Sequence, residues 1–272
     1  PVALRARAPV EAVPLPALPA RPEPMGERGL PARDRPVEAP ARPPPPAQRA
    51  LLLVRAPTHA CAVLCRELWG ARLPAVPARG DPRDALVGST LKDLEPKAKV
   101  ATGSIRRKSQ LAEIRPDISF HELRGNIHTR LEKAKNFDAI VIAATALERL
   151  RLNPDVIEIL EPDVMVPQVG QGAIGLECLT DNFDVLSALK KIEDSSTRNL
   201  INIERSFLKE IGADCNHPVG AHATQEGNQI RIRSFLSDSK TGKNFHDNRI
   251  SSNPETLGKL AATELLDRLK KG

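Results

Sequence analysis

Asp138-Ala139-Ile140-Val141-Ile142-Ala143-Ala144 is a nearly unbroken apolar run with one charge at its head. Successive side chains of a strand leave opposite faces, so a half-exposed strand alternates apolar and polar residues. A run without alternation suits a strand covered on both sides, as in the middle of a parallel sheet flanked by helices. The flanking spacing agrees. Residues 99–102 end a short strand, and 105–114 have helical spacing with Leu111 and Ile114 on one face. Residues 118–123 alternate as a strand, and 127–134 return to helix. This succession predicts an α/β protein with a doubly wound layer, in which 138–144 is a central parallel strand.

Downstream of Gly175 the pattern changes. Residues 186–192 and 197–211 read as consecutive helices, the second amphipathic through Leu200, Ile203, Phe207, Leu208 and Ile211, with Asp194 or Ser195 able to cap it. Short strands are expected at 219–223 and 229–235, and a closing helix at 254–271. A small α+β domain beginning near residue 195 accounts for these elements.

The opposite end is compositionally foreign to the rest. The first 91 residues contain no Lys, Ile, Asn or Phe, and more than half of the 25 prolines fall before residue 50, including Pro43-Pro44-Pro45-Pro46. Proline removes a backbone donor and fixes φ, so such a stretch sustains neither helix nor central strand. Residues 1–75 are therefore expected to be mostly disordered or aberrant, with only 50–69 able to form a short ordered piece. Ala, Arg, Pro and Gly are what GC-rich DNA yields in any frame, so a misread frame or foreign join is preferred to a natural Pro/Ala/Arg tail.

Charge and cysteines narrow the function classes. The net charge of +6 divides into +5 for residues 1–91 and +1 for residues 92–272, so the basic surplus belongs to the first third. With six Phe, one Trp and no Tyr, stacking platforms for bases are scarce, and a nucleic-acid partner is not expected. No apolar run approaches the roughly 20 residues that span a bilayer, so no membrane association is expected. Four cysteines, Cys61, Cys65, Cys178 and Cys215, suit a reducing cytoplasm better than a disulfide scaffold. Cys61 and Cys65, four apart, would share a helical face, but no second ligand pair follows, and no metal is expected.

Arginines recur just beyond the expected strand ends. Thr102-Gly103-Ser104-Ile105-Arg106-Arg107 follows the first strand, Arg124-Gly125-Asn126-Ile127-His128-Thr129-Arg130 follows the second, and Arg149 lies shortly beyond the third. Ligands of open parallel sheets bind at the carboxyl ends of the strands, where all three clusters can reach one crevice. Free N–H groups at a helix start favour negative charge, hydroxyls of Thr102 and Ser104 add donors, and guanidinium forks hold carboxylates bidentately. A ligand with several carboxylates, or phosphates, is implied. Each cluster alone reads more simply as a solvated face, and Arg149 beside Glu148 as a surface ion pair. Their recurrence at equivalent places favours a site.

Cys215 stands in Gly212-Ala213-Asp214-Cys215-Asn216-His217-Pro218-Val219-Gly220. A lone cysteine is commonly a small buried apolar residue, but these neighbours form a loop, which makes the thiol available for covalent chemistry. This loop, with Asp81-Pro82-Arg83-Asp84-Ala85, residues 102–110, Leu123-Arg124-Gly125-Asn126, Thr129-Arg130-Leu131 and Val169-Gly170-Gln171-Gly172-Ala173, resembles the porphobilinogen deaminase (hydroxymethylbilane synthase) family, in the family's order over about residues 76–272. The resemblance implies a cytoplasmic, monomeric transferase that condenses four porphobilinogen units into hydroxymethylbilane, releasing ammonia at each step, in tetrapyrrole and haem biosynthesis. It implies a dipyrromethane cofactor in thioether linkage to Cys215, with Thr102, Ser104, Arg106 and Arg107 as cofactor-binding residues and Arg124, Arg130 and Arg149 as substrate-binding residues.

The resemblance also implies a middle domain of the type II periplasmic-binding-protein fold. The expected division is 1–75 aberrant; 76–96 a remnant of a first domain, with 169–194 returning to it; 97–168 the α/β anion-binding domain; and 195–272 the α+β domain carrying the cysteine. The strand near 172–178 is expected to present an open edge. One departure affects the chemistry. The family carries a Lys-Asp pair in a His-Ser-x-Lys-Asp-x-Pro setting, whose aspartate stabilises developing positive charge. No such setting occurs between Pro1 and Asp81, Lys92-Asp93 lies in the wrong order, and Asp84 belongs to a motif that looks structural. No catalytic residue is therefore identifiable, and turnover by the chain as written is expected to be at least about a thousandfold reduced. The competing readings are a noncatalytic anion-binding module and, less favoured by charge, a nucleic-acid binder.

Overall fold

The computed structural model describes residues 53–55, 71–179, 183–212 and 218–271. Three sheets organise them. The central one has five strands in the order β5-β4-β6-β3-β7: β3 (Asp84–Val87), β4 (Lys99–Ala101), β5 (Ser119–His121), β6 (Ala139–Ala143) and β7 (Ile157–Leu160). β4 runs parallel to β5 and β6, whereas β3 is antiparallel to both β6 and β7. The apolar run at 138–144 is thus the middle strand, but the sheet is mixed and not wholly parallel as expected. Residues 84–87, grouped from sequence with a first-domain remnant, are hydrogen-bonded inside this sheet.

Alternation explains why β6 is apolar throughout. Its Ala139 and Val141 join Leu86, Val100, Leu111, Leu160 and Met165 on one face, while Ile140 and Ile142 join Ala85, Val87, Ala101, Leu123 and Leu147 on the other. Helices cover the sheet: α1 (Ile105–Ile114) after β4, α2 (Ile127–Ala134) after β5, and the short α3 (Ala144–Leu150) directly after β6. Ser104 caps α1 and Asn126 caps α2 through side-chain oxygens that accept from Arg107 N and Thr129 N.

A three-stranded sheet in the order β1-β8-β2 joins β1 (Leu53–Arg55), β8 (Gly175–Leu179) and β2 (Ala71–Ala75), all antiparallel. β8 is flanked on both sides, which corrects the open edge expected for it. β2 likewise falls within the stretch read as disordered. Its register shifts between Arg72 and Ala75, around Pro74, which has no N–H to give to a ladder. The remainder of 1–75, with Cys61 and Cys65, lies outside the described residues. Helix α4 (Phe183–Lys190) follows.

The C-terminal elements are α5 (Ser195–Ile211), an antiparallel meander of β9 (Val219–Glu226), β10 (Gln229–Ser237) and β11 (Asn244–Ser251), and α6 (Pro254–Lys271). Asp194 caps α5, accepting from Thr197 N at 2.6 Å, as its position before the amphipathic run predicts. β11 was not anticipated; its sequence, Asn-Phe-His-Asp-Asn-Arg-Ile-Ser, carries little apolar signal because it is an edge strand. Ile203, Phe207 and Leu208 of α5 and Leu257, Ala261, Ala262 and Leu265 of α6 pack on Val219, Ala221, Ala223, Ile230, Ile232 and Leu236.

Gly258 lets the two helices meet. A Cβ there would lie 2.2 Å from Ile203 O and 2.9 Å from Phe207 N, distances that force backbone to move. Gly258→Ala is expected to lower stability by about 1–3 kcal/mol, despite a gain of up to about 1 kcal/mol in helix propensity. Chemical denaturation checks this; an unchanged or raised midpoint would contradict close helix contact.

Candidate functional site: an arginine cluster at one sheet edge

β5, β4 and β6 are neighbours and run the same way, so their carboxyl ends lie along one edge of the central sheet. The three arginine-bearing segments leave from that edge. β3 runs the opposite way, and its first residue, Asp84, pairs with Ala143, the last residue of β6. Antiparallel placement therefore brings an acidic residue to the edge where the arginines gather.

Asp84 is wholly buried. Its Oδ2 meets Arg106 Nη2 at 2.9 Å and its Oδ1 meets Arg107 Nη2 at 2.8 Å and Nε at 2.9 Å. Gln171 Nε2 donates to the same Oδ1 at 2.9 Å and to Pro82 O at 2.6 Å. Burial pushes the Asp84 carboxyl up, but the two guanidiniums and the Gln171 amide outweigh it and hold the group below the usual carboxylate range. Arg106, almost fully buried, also donates through Nη1 to Val166 O. Burial lowers its pKa; Asp84 opposes this and the like charge of Arg107 adds to it. Arg107 donates further to Val141 O at 3.3 Å. Two cations on one carboxylate leave the cluster net positive.

The other expected site residues take different positions. Thr102 is buried; its N–H donates to His121 O at 2.9 Å and its Oγ1 accepts from Ser104 N at 3.2 Å, which shapes the turn into α1. Gly103 fits this turn because a Cβ would meet Leu123 O at 2.7 Å. Arg130 donates to Gly125 O at 2.8 Å, and its pKa is lowered by burial and then by Arg107, which puts it in the electrostatic reach of the cluster. Arg149 donates to Gly172 O at 2.7 Å, beside Gln171. Arg124 is exposed and paired with Glu122 at 2.6 Å, so it is not drawn into the cluster. Cys215 and its neighbours 213–217 lie outside the described residues.

A second buried cluster, unread in the sequence, adjoins the first. Glu204 of α5 is fully buried and accepts from Arg79 Nη1 at 2.7 Å and Nη2 at 3.2 Å, from Gly170 N at 2.7 Å and from Ala223 N at 2.9 Å, with His222 Nδ1 at 3.4 Å. Arg79 Nε also donates to Gln171 O at 2.7 Å, so the chain Glu204–Arg79–Gln171–Asp84 is continuous. The available signal was a glutamate on the apolar stripe of α5, between Ile203 and Phe207.

Chemically, the edge offers hydroxyls, a capped helix start and guanidiniums around a net positive centre, an arrangement suited to carboxylate-bearing ligands. Sequence comparison agrees. The family pattern "Porphobilinogen deaminase, dipyromethane cofactor binding domain" matches residues 65–187, and "Porphobilinogen deaminase, C-terminal domain" matches residues 199–267. The chain is 44% identical over 203 residues to a porphobilinogen deaminase of Roseiflexus sp. (strain RS-1), covering 72% of this chain and 67% of that protein. It is 43% identical over 202 residues to that of Roseiflexus castenholzii, covering 72% and 66%, and 39% identical over 203 residues to that of Brevibacillus brevis, covering 72% and 66%. The chain thus spans about two thirds of the length of these relatives.

Burial pushes Glu204 up, but Arg79 and His222 outweigh it and bring its pKa down to about 2, from 4.5. A depressed carboxylate contributes stability that is fully present above the unfolded pKa and lost as pH falls through the folded one. The difference in unfolding free energy between the protein and Glu204→Gln is therefore expected to be on the order of 3 kcal/mol above about pH 5, shrinking toward pH 2. Denaturant titrations across that range check it. A pH-independent difference would contradict the ionised, paired carboxylate.

Proposed function

The chain belongs to the porphobilinogen deaminase family, and from that membership and the arginine cluster we propose that it handles porphobilinogen and its oligomers in hydroxymethylbilane synthesis. Each pyrrole of such a product carries two carboxylates, so a lengthening chain calls for several guanidiniums in one place. The observation that carries the reading is the departure of three arginine-bearing segments from the adjacent, parallel ends of β5, β4 and β6.

In this reading Arg107, Arg130 and Arg149 bind acetate and propionate groups, and Arg124 reaches substrate from the rim. Arg106 contributes charge from within, with Thr102 and Ser104 setting the helix start beneath the ligand. Dipyrromethane fits a donor set of this kind; held in thioether linkage at Cys215, it supplies the covalent primer to which units are added. Its residues in this chain would be Thr102, Ser104, Arg106 and Arg107. We assign residues 97–168 together with β3 to the anion-binding domain, with a type II periplasmic-binding-protein arrangement, and 76–83 and 169–194 to a first-domain portion. Residues 195–272 form the domain that carries the cysteine. The working form in this reading is a cytoplasmic monomer. Among the described residues no helix is long and apolar enough to cross a membrane.

Two measurements test the reading. An intact-mass spectrum of the purified chain is expected to show the increment of one dipyrromethane, absent from Cys215→Ser; masses that differ only by the exchange of sulfur for oxygen would favour a noncatalytic anion-binding module. Turnover is a separate matter. Without an aspartate in the Lys-Asp setting, hydroxymethylbilane formation is expected at least about a thousandfold below that of a relative that has it. Ordinary turnover would contradict the role given to that aspartate.

A further inference from the structure

We propose that the C-terminal domain is a pivoting body, hinged at the buried Glu204 cluster and latched at its far end by Glu113 of α1. The two ends differ in kind. At the near end, Glu204 and Arg79 are almost wholly enclosed, two backbone N–H groups add to the pair, and Val76, Ala173 and Ile201 pack beside it. Gly220 of β9 lies so close to Val166 O and Pro167 O that a Cβ would stand 2.9 and 2.8 Å from them. Little solvent reaches this end to replace a broken contact, so opening it leaves charges poorly paired in a nearly dry site.

At the far end the charged contact is exposed. Glu113 Oε2 receives His246 Nε2 at 2.8 Å and Asn244 Nδ2 at 3.0 Å, and Asn244 Nδ2 also donates to Ser109 O at 3.0 Å. Both Glu113 and His246 side chains are nearly half exposed, at 45% and 46%. Water reaches the Glu113–His246 pair, so that contact opens at little cost and weakens with salt, whereas the Asn244–Ser109 bond is partly buried. Midway, Arg233 of β10 meets Asp163, a pair whose acid is 66% exposed.

The space between the ends is poorly filled. A cavity of about 450 Å³ lies between α1, residues 162–164 and the β10–β11 face, and another of about 430 Å³ lies on the other side of the Arg233–Asp163 pair. Ile114 and Val164, at the wall of the first, remain 44% and 37% exposed. Apolar packing, which would fix one orientation, is therefore concentrated at the near end. Release of Glu113 swings β10 and β11 away from α1 while leaving Arg79–Gln171–Asp84 in place, so the domain moves without dismantling the arginine cluster. This inference concerns the fold alone and does not depend on the proposed reaction.

Backbone residual dipolar couplings of the intact protein test it, because they report the relative orientation of the central and C-terminal sheets. In the native protein at low salt, one alignment tensor is expected to fit both sheets. In Glu113→Ala, and in the native protein at 1 M salt, the C-terminal sheet is expected to need a separate, weaker tensor. The Gly170 and Ala223 amides should keep their shifts and slow exchange. A single tensor under all conditions would overturn the latch. Loss of Gly170 and Ala223 protection together with the Glu113 contact would overturn the pivot.

Discussion

One buried carboxylate organises the candidate site. Asp84 sits between two guanidiniums in a region closed to water, where an isolated charge of either sign is costly and a matched set is held firmly. Beside these ion pairs it accepts a hydrogen bond from Gln171, whose backbone carbonyl is bonded by Arg79, whose guanidinium in turn grips Glu204. Three segments distant in sequence, around residues 79–84, 106–107 and 170–171, are thereby fixed to α5 of the C-terminal domain. Removing one partner of such a set costs about 3–5 kcal/mol, because the others remain buried and unpaired. The same arithmetic of charge leaves the cluster net positive and facing the edge from which Arg130 and Arg149 also arise.

Strand direction makes this possible. The parallel set β5-β4-β6 delivers three loops to one edge, and the antiparallel β3 delivers Asp84 to that edge by its first residue. A parallel β3 would place Asp84 at the opposite edge, beyond reach of α1. The mixed sheet is therefore a condition of the site, not an ornament of the fold. Arg106 differs from the remaining arginines in consequence: it is held almost wholly by protein partners, Arg107 keeps a small exposed fraction, and among the described residues Arg130 and Arg149 each donate to one backbone carbonyl.

Much of this was legible in the residues. The unbroken apolar run at 138–144 marks the middle strand because both its faces are covered, helices α1, α2, α5 and α6 are legible in the sequence, and the Asp194 cap is legible for α5. What escaped was what local pattern does not encode. β3 and β7 are only four residues each, too short to show a period, and the direction of β3 depends on tertiary pairing. β11 has an edge strand's polar composition. The strand at 71–75 falls in the Pro/Ala/Arg-rich stretch, and a register shift accommodates its Pro74. The arginines are visible as candidates, but their partners are not: Asp84 belongs to a motif that looks structural, which suits its burial, while Glu204 shows only as a charge on an apolar stripe and Arg79 carries no local signal. Cys215 and most of the first 70 residues fall outside the described residues.

The central claim is that guanidiniums from three successive loops meet one polycarboxylate. Arginine side-chain Nε–Hε resonances of the isotopically labelled intact chain, followed while porphobilinogen is added, test it most directly. The account predicts saturable shifts of Arg107, Arg130 and Arg149 with a common dissociation constant, and little change at Arg231 and Arg249 of the C-terminal sheet. Unmoved resonances for those three, or shifts spread evenly over all exposed arginines, would contradict it.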